Sequence, residues 1–461
     1  MEDAAIQNKT KKQKLSIIIA LAVPAMIENI LQTVVGFVDT LFVAKLGLNE
    51  VTAVGVANAV LAVYIAIFMA IGVGTSSLIA RSIGAGDISK AKSIARQSTI
   101  VSAILGLLFG LITFFFSEPL LRLMGAESQI LTAGVTYFRI VAIPSIFISL
   151  MFTFGSILRA AGDTKTPMKV SLWINIIHIG LDYILIFGMF GIEGLGVAGA
   201  AWATVIVRII GTLLLFFYIK RSKVSFSLFE SSSKENTLSI LKISTPTAIE
   251  RLIMRFGQVV YFGLILKIGA DVYASHSIAG NIETFSYMPG YGLAIAATTL
   301  VGQSIGANNQ KDAYMYGMLT TIIGVFIMSI GGVLLFFLSP WMATWFTDKQ
   351  TAIDMVVTAL RIDAFAQPAL AIGLILAGAL QGAGDTKSPM YSTAIGMWLI
   401  RVIGVYILGI HFEMGIAGVW LSIAIDLYVR AIFLFFKFKK VKEGTNKIKK
   451  YYPKLVTSRS K

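Results

Sequence analysis

Two aspartates stand inside runs of residues that otherwise suit a hydrocarbon environment. Asp39 lies in VVGFVDTLFVA, and Asp182 lies in NIIHIGLDYILIFG with His178 four residues before it. A spacing of four puts imidazole and carboxylate on one face of a helix. An ionisable side chain in a membrane-crossing segment costs about 2.5–3.5 kcal/mol on insertion scales, so each one marks a candidate functional position. The chemistry open to a pair of acids there is cation exchange. Two carboxylates sharing a low-dielectric site cannot both stay ionised without a cation, so one proton can be taken up and exchanged for a cationic substrate. His178 titrates near neutrality and can take a proton itself. Glu28, Glu250, Arg255, Asp363, Arg401 and Asp426 complete the main set of ionisable residues in apolar runs, and Arg361 and Arg430 are candidate partners for Asp363 and Asp426.

Other chemistries are poorly supported. The chain has no cysteine, and His178, His276 and His411 are too scattered for a zinc motif. No nucleophile triad, phosphate-binding loop or selectivity-filter repeat is present, so neither an enzyme nor a channel is expected.

The elements that position these residues follow from composition. Of 461 residues 56% are hydrophobic and 14% charged, against about 25% charged in soluble domains; the mean hydropathy is +0.80. Runs such as 15–44, 100–116 and 322–338 approach or exceed the roughly 20 residues that cross a bilayer. About twelve such segments can be marked out. Backbone groups in lipid must be satisfied within a segment, and the runs do not alternate as barrel strands would, so an all-α polytopic membrane protein is expected.

The chain repeats itself. LRAAGDTKTPM at 158–168 returns as LQGAGDTKSPM at 380–390, with Asp163 and Asp385 222 positions apart. The same offset carries Pro24 onto Pro246, Glu28 onto Glu250, Ser82 of RSIGAGD onto Ser304 of QSIGANN, and Arg139 onto Arg361. It then slips to 219 for Gly196 and Gly415, which implies a short deletion in the fifth connection of the second half. Two halves of six helices follow, related by a parallel repeat because six is even. The expected organisation is a basic tail (1–14), an N-terminal lobe (15–219), a polar linker (220–237), a C-terminal lobe (238–440) and a second basic tail (441–461). AGDTK(T/S)PM reads as a turn after the fourth helix of each half: Gly ends one helix, Asp caps the next and Pro begins it.

The net charge is +15, and residues 1–15 and 437–461, with fourteen basic against three acidic residues, supply +11 of it. Basic residues flanking apolar spans mark cytoplasmic ends rather than a nucleic-acid surface. Arg81, Lys90, Lys92 and Arg96 flank the second connection, Arg159, Lys165 and Lys169 the fourth, while the odd connections are poor in basic residues. Both termini, the linker and both AGDTK turns are therefore expected in the cytoplasm, and the polar N-terminus leads into a retained first span rather than a cleaved signal.

Taken together, PAMIENILQTVVGFVDTLFVAKLG, VGTSSLIARSIGAGD, LRAAGDTKTPM, TTLVGQSIGA and LQGAGDTKSPM resemble, in order and spacing, the MATE family of multidrug and toxic compound extrusion antiporters, within the MOP flippase superfamily. The resemblance covers essentially the whole chain. It implies two lobes in a cell membrane, export of organic and often cationic compounds in exchange for protons or sodium ions, and no cofactor besides the coupling ion. The partners expected are small organic substrates and membrane lipid, without nucleic acid, for a protein acting as a monomer. Flippases for lipid-linked precursors share the superfamily fold and are the alternative; they would call for a large cationic cavity, for which Arg255 and Arg401 are the only hints.

The resemblance also implies roles. Asp39, fifteen residues after Pro24, matches the family's first-helix acid, and Asp182 matches its fifth-helix acid or amide. Thr204 of GAAWAT matches a hydroxyl-bearing sixth-helix position, and Tyr137 a fourth-helix tyrosine. His178 stands where the family often has Asn. Hard cations prefer oxygen, so this departure favours protons over sodium, with Asn175 as an alternative oxygen donor; sodium would use Asp39, Asp182 and Thr204. Some relatives carry an acidic pair in the second half, and its seventh-helix member would fall near Met254, so that pair is not evident. The 222 offset sets Tyr261 against Asp39 and Gly404 against Asp182, which places coupling in the first half. Glu28 and Glu250 are either structural features of both helix starts or cavity charges. Met26 and Met69 are possible substrate contacts of an adaptable apolar cavity, and Pro24 is a bending point.

Overall fold

The structure is a computed structural model that describes residues 10–189, 191–227 and 234–443. Most of both basic tails and the centre of the linker, with Ser231 to Ser233, lie outside the described residues. The chain forms α1 (Lys11–Ala44), α2 (Leu48–Gly84), α3 (Ile88–Leu123), α4 (Ser128–Ala142), α5 (Ser145–Ala160), α6 (Lys165–Phe187), α7 (Val197–Lys220), α8 (Lys234–Ile268), α9 (Ala270–Gly306), α10 (Gln310–Ala343), α11 (Gln350–Ala383), α12 (Lys387–His411) and α13 (Gly415–Lys442).

Among the described residues, nine helices are long and apolar enough to span a bilayer. α4 and α5 form a tenth span, bent by 49° where Pro144 lacks the donor that would continue the ladder. α8 and α9, of 35 and 37 residues, fall short in apolarity and not in length. α8 carries Glu250, Arg251 and Arg255 within two turns. With them the count reaches the twelve spans that the sequence implies.

Local chemistry explains why the repeated phrases recur. In each AGDTK turn the glycine is left-handed, Gly162 at φ 90° and Gly384 at φ 91°, and the backbone closes in the same paired pattern. Gly162 N–H bonds Arg159 O and Asp163 N–H bonds Leu158 O; Gly384 and Asp385 do the same to Gln381 and Leu380. Asp163 then accepts from Thr166 N–H at 2.9 Å and from its hydroxyl at 2.6 Å, and Asp385 accepts from Ser388 at 3.0 and 2.6 Å. Asp87 and Asn309, also 222 apart, cap α3 and α10 in the same manner. The offset slips where expected. The fifth connection of the first half holds a hairpin, β1 (Gly188–Met189) with β2 (Ile192–Glu193), and the second half has only 412–414 there.

The described chain packs as two compact units. One comprises Leu21–Ile79 and Asp87–Arg255. Its core draws Val43 from α1, Val54, Leu61 and Phe68 from α2, Leu121 from α3, Tyr137 and Phe138 from α4, Ile148 from α5, Ile186 from α6 and Ala200 from α7. It also retains the linker flanks: Val224 and Phe226 are buried, and Asn236 and Thr237 donate to Ser93 and Gln97 of α3 at 2.8 and 3.0 Å.

The other unit comprises Met1–Ala20, Ala80–Gly86 and Phe256–Lys461. α1 begins at Lys11, inside the expected tail, because Thr10 and Gln13 form a reciprocal capping box. Lys14 is buried against Asp312 of α10, with its ammonium also over the Tyr316 ring. The end of α2 packs on the end of α9 without room for side chains. A methyl on Gly84 would overlap the Gln303 carbonyl, and one on Gly306 would overlap the Arg81 carbonyl.

Candidate cation-coupling site

The first of these units brings the acids of α1 and α6 into one polar neighbourhood. Phe42, three residues beyond Asp39, packs edge-on against Tyr183 and Phe187 of α6, with ring centroids 6.2 and 5.9 Å away. This aromatic contact sets the Asp39 turn of α1 beside the Asp182 turn of α6. Asp182 is fully buried and Asp39 half-buried.

His178 and Asp182 share the expected face, with Nε2 3.4 Å from Oδ2. Thr204 of α7 completes the line, its Oγ1 3.3 Å from the same Nε2 and 2.9 Å from Ala200 O. Because Thr204 gives its only proton to that carbonyl, its hydroxyl accepts from the ring, which places a hydrogen on Nε2 of His178. Tyr137 of α4 is buried in the core and its hydroxyl bonds Asn58 of α2. The charges of Asp39, Asp182 and Arg208 all act on it.

Arg208 was not evident from sequence reasoning focused on acids. It lies on α7 one turn after Thr204 and couples to Asp39 and Tyr137. The signal was available, since Arg208 is the only charge between Val197 and Ile219. Asn58 left no such signal. Oδ1 of Asp39, both carboxylate oxygens of Asp182 and Nη1 of Arg208 are buried without hydrogen-bond partners. Buried polar atoms without partners are costly, so this neighbourhood is built to receive something polar.

The other candidates stand apart from this group. Asn175 is half-buried and its amide donates to Ser171 on its own helix at 3.4 Å. Glu28 is buried and bound by Arg159 at 2.9 Å. It therefore offers a neutralised pair and not a bare cavity charge; the counterpart of Arg159 is Gln381, so the pairing is not repeated. Glu250 and Met26 are half-buried, and Met69 Sδ accepts from Arg251 at 3.7 Å. α1 runs unbroken through Pro24, which is buried.

The second unit does not reproduce the group. Tyr261 occupies the counterpart of Asp39 and packs on His276, which also contacts Trp420. Gly404, the counterpart of Asp182, lies so close to Ser422 that even a methyl would crowd it. The ionisable residues here are mostly committed to one another. Asp426 is held by Arg401 at 2.8 Å and Arg430 at 2.6 Å, so the Arg401 charge is spoken for. Asp363 accepts from Gln367 at 2.6 Å, while Arg361 lies over the Phe336 ring. Glu283, also missed in the sequence, acts electrostatically on Arg401 and Tyr261.

Known proteins resemble this chain over nearly its whole length. The family model MatE matches twice, at 24–184 and 246–407, so its two copies begin at Pro24 and Pro246. A probable multidrug resistance protein NorM of Thermotoga maritima is 32% identical over 422 residues, covering 90% of each chain. A multidrug resistance protein NorM of Vibrio cholerae serotype O1 is 26% identical over 92% of this chain and 94% of its own. A solved structure described as the outward-facing conformation of a multidrug resistance MATE family transporter of the MOP superfamily superposes with a TM-score of 0.87 at 27% identity, covering 95% of this chain and all of that one.

Proposed function

Because the chain belongs to the MatE family, we propose that it is a multidrug efflux antiporter that carries small organic compounds, cationic ones included, out across the cell membrane in exchange for protons. The observation that carries the reading is the buried Asp182–His178–Thr204 line with Asp39 beside it, confined to one unit. A proton arriving there meets carboxylate oxygens without partners and an imidazole able to take or release it. Uptake removes a buried charge and alters the bonds that tie α6 to α7. Pro24 leaves α1 one backbone bond short, so α1, which carries Asp39, has a point at which it can bend as the charge changes. The flippase alternative loses one of its two hints, since Arg401 is neutralised by Asp426. Both halves are present in one chain, which supports action as a monomer, without chemical change to the substrate.

The coupling ion is tested with proteoliposomes holding a fixed pH gradient, with and without sodium. Efflux by the wild type is expected to follow the pH gradient and ignore sodium, and His178→Asn is expected to acquire sodium dependence. Wild-type transport that needs sodium and is indifferent to pH would sink the proton assignment.

The charge distribution supports cytoplasmic termini and AGDTK turns. In this cysteine-free chain, Lys165→Cys and Lys387→Cys, both exposed, are expected to react with a membrane-impermeant maleimide only from the inside, and Leu48→Cys, 85% exposed, only from the outside. Labelling of either turn in intact cells overturns this orientation.

A further inference from the structure

The coupling group contains one charge that the proton mechanism does not use. Arg208 projects from α7 into a neighbourhood whose other members come from each packed helix: Asp39 of α1, Asn58 of α2, Tyr137 of α4, His178 and Asp182 of α6, and Thr204 of α7 itself. A guanidinium stays protonated in proteins, so this positive charge is permanent. Its charge acts on Asp39, Tyr137 and His178, and the charge of Asp39 acts in turn on Asp182.

Arg208 and Asp39 nevertheless form no contact ion pair: Nη1 and Oδ1 are each buried and without a hydrogen-bond partner. The guanidinium therefore offsets the charge of Asp39 without binding that carboxylate oxygen. A proton can bond to that oxygen without displacing anything. A sodium ion needs several oxygens around it and would have to settle between Asp39 and Asp182 against a fixed like charge. His178 further reduces the oxygen supply.

We propose that Arg208 is a tethered counter-cation for Asp39 and a specificity-determining residue that, together with His178, makes the site refuse sodium. This rests on the reading of the Asp39–Asp182 group as the coupling site. With Arg208 present, the group carries two carboxylates and one resident cation, so a single mobile charge balances it. Without it, the two carboxylates have no resident counter-charge, and a mobile metal cation is no longer repelled.

The test uses the full chain in proteoliposomes, with radioactive sodium and a fluorescent organic cation followed together. Wild type and Arg208→Lys, which keeps the charge, are expected to export the organic cation under a pH gradient with no matching sodium movement. Arg208→Gln is expected to exchange sodium for the organic cation at least ~10-fold faster than wild type, within the usual range for a change in coupling between sites. Arg208→Met, which keeps the apolar stem, replaces it in the test where the glutamine variant does not fold, as judged by a monodisperse elution profile. Sodium exchange by the wild type with efflux intact overturns the role of Arg208 alone. So do folded Gln and Met variants that remain blind to sodium. A wild type that moves no organic cation under either gradient overturns the transport reading instead.

Discussion

Asp39→Asn is expected to yield folded protein that has lost gradient-driven efflux by about 100-fold, towards the upper range of couplings between sites, while Tyr261→Phe stays close to wild type. The amide keeps the size of the carboxyl, and Asp39 is only half-buried, so the core around Phe42, Tyr183 and Phe187 remains intact. What disappears is the negative charge that acts on Asp182 and Tyr137. Without it the acid pair becomes a single acid, which the resident Arg208 charge already offsets, so no mobile cation is required. Tyr261 holds the corresponding place in the other half but only packs on His276 and lies near Arg401. Efflux and substrate binding measured on the same preparations decide the point. Equal loss in both variants would show that coupling is not confined to the first half.

Asp426→Ala is expected to cause the largest loss of stability. Asp426 is fully buried and accepts two bonds from Arg401, at 2.9 and 2.8 Å, and two from Arg430, at 2.6 and 2.9 Å. Removing it leaves two buried guanidinium groups without their counter-charge, and breaking a buried ion pair from one side costs about 3–5 kcal/mol. Replacing Asp426, Arg401 and Arg430 together by apolar residues of similar size is expected to cost much less, because the penalty comes from the charges left behind. Thermal unfolding in detergent, followed by size-exclusion elution, measures both. An unchanged unfolding temperature for Asp426→Ala rules the account out.

The contrast between Asp426 and Asp363 shows what the sequence could reveal. Both had an arginine close by in sequence. Arg430 is four residues from Asp426, one helical turn, and the pair forms; Arg361 is two residues from Asp363 and projects elsewhere. Gln367, four residues on, is the actual partner. The same rule made His178 and Asp182 legible, and the repeat was legible because Gly–Asp turn chemistry is local. Arg208 and Asn58 were harder because their significance depends on which helices lie side by side. α8 and α9 were expected as spans from the repeat, although polar and charged residues such as Glu250, Arg251, Arg255 and Glu283 dilute their apolarity. The assignment of 80–86 to the unit formed mainly by the second half could not be read from hydropathy, because it depends on glycines that serve close approach and not a turn.

That close approach has a symmetry written into it. Gly84 meets Gln303 while Gly306 meets Arg81, and Gly302 meets Ala80. The first two contacts are the same contact with the copies exchanged, and the third joins equivalent positions, since the 222 offset carries Gly84 onto Gly306, Arg81 onto Gln303 and Ala80 onto Gly302. Reciprocity of this kind is the mark of an isologous interface, the contact by which two identical subunits associate about a two-fold axis. The ends of α2 and α9 thus make, within a single polypeptide, the kind of contact that a homodimer makes between two chains. The copies differ around this contact, since Arg81 in one stands where the other has Gln303. The two glycines had no such freedom. Each makes space for the backbone of the other copy, so the interface constrains them as a pair, even though the acids of the first half and the ion pairs of the second have gone separate ways.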